Sequence, residues 1–386
     1  MPGSFPSGSS ALSLADGHTV PTDYWRALPD GRLECGVCPR ACRLREGQRG
    51  RCFVRGRVAD QIVLASYGRS SGFCVDPIEK KPLNHVLPGS AVLSFGTAGC
   101  HLSCKFCQNW DISRSREMDT LSAAASPDTL AAAAERLGCG SVAFTYNDPV
   151  IFMEYAMDVA DACRDRGIAA IAVSAGYMNP APRAEFYRHM DAANIDLKGF
   201  TEAFYRKLTG AALRPVLQTL EYLATTDTWF EITTLLIPGY NDADDVLARQ
   251  CRWIVEQLGP DVPVHFSAFT PAYKLRNVPA TPPETLKRAG GIARDHGLRY
   301  VYAGNVHDPA QQTTSCPTCA NPVIVRNGYA IERCALTPSG RCAACGTAIP
   351  GRFATAAGRW GQRRMPVHIA DLEPAGTGSH DRRRPS

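Results

Sequence analysis

The feature that most constrains the fold is a repeated alternation of short apolar segments with helical patterns between residues 90 and 306. Seven of these segments are rich in apolar or β-branched residues and are bounded by Gly, Pro or Asp, which is typical of strands. Strand and helix in repeated alternation predict a parallel sheet covered by helices. The predicted strands span residues 91–97, 141–146, 168–174, 193–198, 229–237, 262–269 and 299–305.

The helices between these strands have recognisable ends. Ser126 followed by Pro127 is an N-cap with proline at the first helical position, and Asp148 followed by Pro149 opens the next helix. Two further helices are predicted over residues 242–258 and 283–296. Because the strands are apolar on both faces and no GxGxxG follows the first, we predict an α/β fold with a full or partial (β/α) barrel of the TIM type rather than a doubly wound sheet.

Composition changes at both ends of this region. The 386 residues suffice for one large core with attachments. After residue 351, seven arginines face three carboxylates, so most of the net charge of +5 lies there. In chain order we predict a disordered segment over 1–30, a cysteine-rich extension over 31–89, the barrel over 90–306, a zinc-ribbon-like module over 311–352 and a flexible basic tail over 353–386.

Composition also excludes several classes of protein. Hydrophobic residues make up 45% of the chain, which is enough apolar surface to rule out a mainly disordered protein. No apolar run approaches the ~20 residues that a membrane span needs. The first ten residues lack the basic start and apolar core of a secretory signal. We therefore expect a cytoplasmic protein without a membrane or nucleic-acid partner.

The 16 cysteines fall into three tight groups and five single positions. They are about 4% of the chain, below the ~8–10% typical of a disulfide scaffold. In a reducing cytoplasm, thiols spaced two or three residues apart are typical of metal ligands. The single cysteines are predicted to be small buried apolar residues; they are Cys74, Cys139, Cys163, Cys251 and Cys334.

The middle group directly follows the first predicted strand of the barrel and consists of Cys100, Cys104 and Cys107. A structural zinc site closes with four ligands. A cubane iron–sulfur cluster held by three cysteines instead keeps one iron open for a substrate or cofactor. The alternative is a zinc knuckle with a distant fourth ligand. Phe106 places an aromatic ring beside the last cysteine of the group.

The spacing CxxxCxxC, with an aromatic residue before the last cysteine, resembles that of radical S-adenosylmethionine (SAM) enzymes. This resemblance implies a [4Fe-4S] cluster on Cys100, Cys104 and Cys107, whose open iron binds the amino and carboxylate groups of SAM. It also implies a reductant such as ferredoxin or flavodoxin, and cleavage of SAM to a 5′-deoxyadenosyl radical that abstracts hydrogen from a substrate. No catalytic residue beyond the cluster ligands is identified.

Polar motifs follow five of the predicted strands, on the face where barrel enzymes assemble their active sites. They are TYNDP at 145–149, SAGY at 174–177, DLKG at 196–199, PGYND at 238–242 and GNV at 304–306. Within the resemblance, the first motif stands where radical SAM enzymes hold the SAM amino group, and DLK matches the D-x-K motif of glycyl-radical-enzyme activases. The residues predicted to bind SAM are Phe106, Thr145, Tyr146, Asn147, Asp148, Asp196 and Lys198.

A longer run of motifs, over about residues 30–352, looks like the AmmeMemoRadiSam system radical SAM enzyme family. It includes VCPRACRLREGQRGRC, VDPIEKKPLNHVLPGS, GTAGCHLSCKFCQNWDIS and EITTLLIPGYND. Two positions depart from that pattern, namely Asp148 where a Glu is expected and SAGY where Thr-Asn-Gly-Tyr is expected. The alternatives are a glycyl-radical-enzyme activase acting on a protein, and a non-catalytic metal-binding interaction protein.

The two flanking cysteine groups each supply four ligands. The N-terminal group can close an auxiliary iron–sulfur cluster or a zinc site, and spacing alone does not decide between them. The C-terminal group has a zinc-ribbon pattern, with iron as the alternative, and we expect it to cap the barrel or dock a protein substrate. A charged turn at residues 76–82 is expected to be solvated. The two groups are Cys35, Cys38, Cys42 and Cys52, and Cys316, Cys319, Cys342 and Cys345.

Overall fold

The computed structural model describes residues 12–115 and 123–372. Its first part consists of two small antiparallel sheets, one with the order β1-β6-β5 and one with the order β2-β3-β4. The strands are β1 (Val20–Pro21), β2 (Trp25–Ala27), β3 (Leu33–Cys35), β4 (Arg43–Leu44), β5 (Arg55–Val58) and β6 (Gln61–Leu64).

The prediction of disorder over residues 1–30 is wrong for residues 20–27. Val20 pairs with Leu64, and Trp25 pairs with Cys35. Leu64 lies far along the chain from Val20, so the local Ser/Gly/Pro composition did not reveal that pairing, whereas β2 pairs with the next strand, β3. Residues 1–11 lie outside the described part of the chain.

The main sheet follows and contains the seven predicted strands as a parallel array. Its order is β15-β14-β13-β12-β11-β10-β8-β7-β19, with β9 paired to β7 off this path. β8 and β10–β15 pair in parallel, whereas β7 is antiparallel to β8. The bounds are β7 (Arg69–Pro77), β8 (Ala91–Gly96), β9 (Ala123–Ala124), β10 (Ser141–Phe144), β11 (Ala169–Ser174), β12 (Ala192–Asp196), β13 (Trp229–Leu236), β14 (Val264–Ala268) and β15 (Val301–Gly304).

The α/β class is thereby confirmed. β8, β10 and β14 are buried at every position, which explains why these strands show no alternation of apolar and polar residues. Over the described residues the hydrogen-bonded order is linear, and no strand pairing joins β15 to β7 or β19.

Helices connect the strands of the main sheet and begin where the sequence predicts. The Ser126 side chain accepts a hydrogen bond from the Thr129 N–H at the start of the second helix. Asp148 caps a single turn of 3₁₀-helix, Pro149–Phe152, which leads into the third. The helices are α1 (Trp110–Arg114), α2 (Pro127–Arg136), α3 (Met153–Arg164), α4 (Pro180–Arg188), α5 (Glu202–Phe204), α6 (Arg214–Leu223), α7 (Asp244–Leu258), α8 (Pro283–Asp295) and α9 (Pro309–Gln312).

The C-terminal part carries a three-stranded antiparallel sheet and then returns to the main sheet. β16 (Thr314–Ser315), β17 (Pro322–Asn327) and β18 (Ala330–Cys334) form the small sheet, and β19 (Met365–Pro366) pairs with β7. The prediction of a flexible tail over 353–386 is therefore wrong for residues 353–372, because β19 pairs with the β7 edge and a 3₁₀-helix, Ile369–Leu372, follows it. Residues 373–386 lie outside the described part. No helix in the ranges that the structure describes is long and apolar enough to cross a bilayer.

Candidate active site

The CxxxCxxC loop follows β8 and is held by backbone hydrogen bonds. Gly99 has a φ of +86°, a left-handed conformation that glycine adopts without steric cost. The Ser103 N–H donates to the Thr209 carbonyl at 2.8 Å, and the Lys105 N–H donates to the Leu208 carbonyl at 2.8 Å. The loop is thus fixed against the segment that follows β12.

The three sulfurs of this loop are spaced too widely for one metal ion. A zinc ion with Zn–S bonds of ~2.3 Å needs its four sulfurs ~3.8 Å apart. Among the described residues, Cys100, Cys104 and Cys107 belong to no set of three metal-binding atoms within 4.8 Å of one another. The donor set suits a cluster with several irons, because each cysteine then binds a different iron. The prediction of a zinc knuckle has no support from this spacing.

Burial keeps the Cys100 and Cys104 thiols protonated when no metal is bound. It raises the pKa of Cys100, and it raises the pKa of Cys104 to about 11 although the Lys198 ammonium lowers it. Metal binding must therefore displace protons from these cysteines.

One cavity brings together all the residues predicted to bind the cluster and SAM. It lies at the carboxyl ends of the parallel strands and has an empty volume of about 1160 Å³, which includes space open to solvent. Its lining includes the three sulfurs and each predicted SAM-binding residue: Phe106, Thr145, Tyr146, Asn147, Asp148, Asp196 and Lys198.

Asn147 fastens the cysteine loop to the strand ends. Its Nδ2 donates to the carbonyl oxygens of Thr97 at 2.7 Å and Gly99 at 2.8 Å. A side-chain carbon at Gly96 would lie 2.8 Å from Asn147 Oδ1, so glycine at that position is what lets the Asn147 segment approach. The amide nitrogen of Asn147 is therefore used in positioning the loop.

The buried Asp148 carboxylate is surrounded by protein donors. Oδ1 accepts from the Ser174 hydroxyl at 3.0 Å and from the Val150 N–H at 3.2 Å. Oδ2 accepts from the Ala175 N–H at 2.9 Å and lies 3.1 Å from His101 Nε2. Burial raises the Asp148 pKa, but His101 and the backbone donors outweigh it, and the pKa lies below its usual value.

Asp196 and Lys198 form an ion pair beside the cluster ligands. Lys198 Nζ lies 2.8 Å from Asp196 Oδ2. Desolvation lowers the Lys198 pKa, but Asp196 and Cys104 outweigh it and raise that pKa above its usual value. Asn241 of the PGYND motif holds this segment, because its Nδ2 donates to the Lys198 carbonyl at 2.9 Å. The cavity thus contains a fixed ammonium group near the Cys104 sulfur.

Tyr146 has a strained backbone and a buried partner. Its φ is +70°, which is rare for a residue other than glycine. Its carbonyl accepts from Asn109 Nδ2 at 2.9 Å, and its hydroxyl donates to Asp76 Oδ2 at 3.4 Å. Strain of this kind is typical of functional sites, where the surrounding structure enforces it.

Several cavity residues were missed by sequence reasoning. Thr233 and Ser267 line the cavity from within β13 and β14. The signal was their position among apolar neighbours, since a polar residue inside an otherwise apolar strand needs a partner or a cavity. His101 was also missed, although it directly follows the first cysteine of the loop.

The charged turn at residues 76–82 is buried, which corrects the expectation of a solvated loop. Asp76 is fully buried and lies 2.8 Å from the ammonium groups of both Lys80 and Lys81. These pairs compensate the burial of charge. Pro82 of the turn lines both the main cavity and an adjoining one of about 860 Å³ empty volume; Ser267 and Asn305 also line both.

The C-terminal cysteines form a compact set. Cys316, Cys319, Cys342 and Cys345 offer four sulfurs within 4.8 Å of one another, the geometry of a single tetrahedral ion. Cys334 is exposed, so the prediction that it is buried is wrong; it ends β18, an edge strand whose last three residues are all exposed. The other single cysteines are buried as predicted: Cys74, Cys139, Cys163 and Cys251.

Fold and site together are those of an α/β enzyme with a cysteine-lined cavity at the carboxyl ends of parallel strands. Residues 95–251 match the model of the Radical SAM superfamily. The uncharacterized protein MJ0808 of Methanocaldococcus jannaschii is 36% identical over 327 residues, covering 84% of this chain and 97% of that protein. The chain belongs to the Radical SAM superfamily and is a radical SAM enzyme, which implies a [4Fe-4S] cluster and SAM as cofactors.

Relatives with assigned activities are more distant. The pyruvate formate-lyase 1-activating enzyme of Escherichia coli K12 is 23% identical over 230 residues, covering 56% of this chain and 93% of that enzyme. Among solved structures, a radical SAM methyltransferase from Sphaerobacter thermophilus has a TM-score of 0.45 and 15% identity, and the match covers 74% of this chain and 76% of that one.

Proposed function

We propose that Cys100, Cys104 and Cys107 hold the [4Fe-4S] cluster and that the cavity beside them binds SAM. When bound, the cluster supplies the electron for reductive cleavage of SAM, which yields the radical that abstracts hydrogen from a substrate. The observation that carries this proposal is the shared cavity, because three widely spaced sulfurs and the Asp196–Lys198 pair line the same space.

Each predicted SAM residue has a distinct role in this proposal. The Lys198 ammonium offers a cation to the SAM carboxylate, and Asp196 orients that ammonium at 2.8 Å. Thr145, Tyr146 and Phe106 shape the cavity beside the sulfurs. Asn147 and Asp148 act through the loop: the first holds Gly99, and the second lies beside His101.

The substrate enters, in this proposal, through the adjoining cavity of about 860 Å³ empty volume, whose lining includes Gly328 and Tyr329 of the C-terminal part.

We propose that residues 311–352 form a zinc module and that the parallel strands form a partial barrel within residues 90–306. A ferredoxin or flavodoxin would supply electrons. The motif run at residues 37–52, 75–90 and 96–113 supports placement in the AmmeMemoRadiSam system radical SAM enzyme family.

A glycyl-radical-enzyme activase is the second candidate. The similarity to the E. coli activating enzyme favours this candidate, because the match covers 93% of that enzyme. The Asp196–Lys198 pair also matches the D-x-K motif of the activases. An activase would produce a glycyl radical on its partner protein, which electron paramagnetic resonance (EPR) detects directly.

The experiment is anaerobic reconstitution with iron and sulfide, followed by dithionite and SAM. Wild type should release 5′-deoxyadenosine, and Cys104→Ala should release none because one cluster ligand is lost. Lys198→Met should weaken SAM binding about tenfold or more, since a charge-assisted contact is removed. Cys163→Ala, a buried cysteine away from the cavity, is the matched control. No product from wild type with an intact cluster would refute the proposal and favour the non-catalytic alternative.

A further inference from the structure

A second cysteine-lined cavity lies against the back of the CxxxCxxC loop. It has an empty volume of about 370 Å³, including space open to solvent, and its lining contains every cysteine of the N-terminal group. The main domain contributes His101, Val150 and Ile151 to it. The N-terminal cysteines therefore enclose a space together with residues next to the cluster loop.

The sulfurs around this cavity are spaced too widely for one metal ion. Among the described residues, no three of them lie within 4.8 Å of one another, whereas the sulfurs around one zinc ion lie ~3.8 Å apart. All four are free thiols in the structure. A centre with several metal atoms accounts for a four-sulfur set that forms neither a disulfide nor a single-ion site.

A backbone donor already points at one of these sulfurs. The Arg51 N–H donates a hydrogen bond to the Cys42 sulfur at 3.5 Å. Hydrogen bonds to the sulfurs are among the factors that set the reduction potential of an iron–sulfur cluster.

The cavity is also lined by residues whose buried nitrogens lack a hydrogen-bond partner among the described residues. They are Arg40 Nη2 and Arg55 Nε. A buried donor without a partner is costly, so an anionic occupant with several acceptor atoms is expected here. The inorganic sulfides of a cluster provide such acceptors, and a bare zinc ion provides none.

We propose that Cys35, Cys38, Cys42 and Cys52 hold a second [4Fe-4S] cluster that passes electrons to the cluster on Cys100, Cys104 and Cys107. Because all four of its irons carry a cysteine, it has no open position for SAM or substrate. The presence of this second cluster does not depend on the proposed function, whereas its electron-transfer role rests on that function.

Three contacts join the two cysteine loops. Arg40 Nε donates to the His101 carbonyl at 2.8 Å, and the Arg51 guanidinium donates to the Ser103 hydroxyl. The Cys52 carbonyl oxygen lies so close to Gly99 that any side-chain carbon there would overlap it. The residues flanking each cluster are therefore in direct contact, which gives an electron a short path.

The electron balance is simple. A cluster held by Cys35, Cys38, Cys42 and Cys52 would accept one electron from a low-potential donor protein, a reduced flavodoxin or ferredoxin. It would pass that electron to the cluster held by Cys100, Cys104 and Cys107. No proton or leaving group moves in this step, and the electron then cleaves SAM as proposed above.

The first test counts metals in the full chain. In the variant Cys100→Ala/Cys104→Ala/Cys107→Ala, reconstituted with iron and sulfide, about four irons per chain should remain, with an EPR signal after reduction. Cys342→Ser in the same background should lose zinc and keep those irons. Zinc in place of iron at the N-terminal group, or no metal there, would overturn the proposal while leaving SAM cleavage by the wild-type enzyme unaffected.

The second test separates electron transfer from a structural role. In Cys38→Ser, SAM cleavage driven by reduced flavodoxin should fall about tenfold or more, while cleavage driven by dithionite should stay within about twofold of wild type. Cys163→Ala should match wild type with both reductants. Equal losses with both reductants would reject the electron-transfer role. If wild type makes no 5′-deoxyadenosine while the triple variant keeps its irons, the proposed function fails and the second site stands.

Discussion

The two groups of four cysteines that flank the main sheet have the same number of ligands and different surroundings. The C-terminal sulfurs lie within 4.8 Å of one another, and two of their cysteines, Cys319 and Cys345, are exposed. The N-terminal sulfurs are wider apart, and Cys35 and Cys52 belong to the main apolar core. Ligand count alone therefore does not define a metal site; spacing and burial do.

The two cysteine groups also differ in the part of the protein that they contact. Cys316 and Cys342 pack in a separate small apolar cluster with Val323 and Ile324. That cluster is too small to stabilise a fold alone, so we expect metal binding there to supply local folding energy. The N-terminal group instead contacts the CxxxCxxC loop, because Arg40 Nε donates to the His101 carbonyl and the Cys52 carbonyl lies against Gly99.

The largest expected effect is on the local stability around the C-terminal cysteine group. Cys342→Ser should abolish zinc binding, worth about 10 kcal/mol in small zinc domains, and should remove hydrogen-exchange protection over residues 314–350. The parallel sheet should keep its protection, because its core is separate. Equal zinc content in the variant and wild type, or loss of protection throughout the sheet, would contradict this local role.

A buried ion pair anchors the N-terminal group to the main domain. Arg55 is 2% exposed, and its Nη1 donates to Glu154 Oε1 at 2.9 Å. Arg55→Gln should lower the free energy of unfolding by about 3–5 kcal/mol, since Glu154 loses its partner. Arg299→Gln, which breaks an exposed pair with Asp261 near the C-terminal module, should cost about 1 kcal/mol or less. Urea unfolding measures both, and equal losses would refute the assigned difference.

His85 joins the main domain to the C-terminal module and is sensitive to pH. Its Nδ1 donates to the Pro350 carbonyl at 2.6 Å, and its Nε2 accepts from the Tyr302 hydroxyl at 2.7 Å. Burial lowers the His85 pKa to about 4 from 6.5. The folded state therefore binds fewer protons than the unfolded state over this interval, and stability is lost as pH falls.

This contribution is fully present above pH 6.5 and declines towards pH 4. Its maximum is about 3 kcal/mol. The unfolding free energy of wild type should therefore fall more steeply with acidification than that of His85→Gln. Parallel pH curves for the two proteins would show that His85 is not the responsible group.

The smallest expected effect concerns the contact between the two cysteine loops. Gly99→Ala combines a left-handed φ with an overlap at the Cys52 carbonyl, whereas Gly138→Ala has a φ of +65° and nothing within 4 Å. Gly99→Ala should therefore lower the unfolding free energy by about 2 kcal/mol more than Gly138→Ala does. Thermal or urea unfolding of both variants decides this, and equal effects would mean that the loops are not tightly packed.

Local sequence signals predicted the parallel strands, a helix cap and the cysteine groups. The seven parallel strands follow from apolar runs bounded by turn residues, and the cap at Ser126 follows from the Ser-Pro-Asp sequence. The three cysteine groups follow from spacing alone. The surroundings of these groups do not follow from spacing. Cys35 and His101, for example, line the same cavity although 65 residues lie between them in the sequence.

The wrong predictions arise from contacts that local composition does not show. Strands at residues 20–21 and 365–366 are formed by pairing with distant partners. In the buried turn at 76–82 the Asp76 carboxylate pairs with the ammonium groups of Lys80 and Lys81, an arrangement that composition does not show. Thr233 and Ser267 became cavity residues only when neighbouring parallel strands placed their carboxyl ends together.

The most direct measurement is the EPR spectrum of the dithionite-reduced protein with and without SAM. SAM can bind only to an iron that lacks a protein ligand. Adding SAM should therefore change the signal of a variant that keeps Cys100, Cys104 and Cys107 but lacks the N-terminal cysteines. The reciprocal variant, which keeps only the N-terminal cluster, should show no change. An unchanged signal in the first variant, or a SAM-dependent change in the second, would contradict the account.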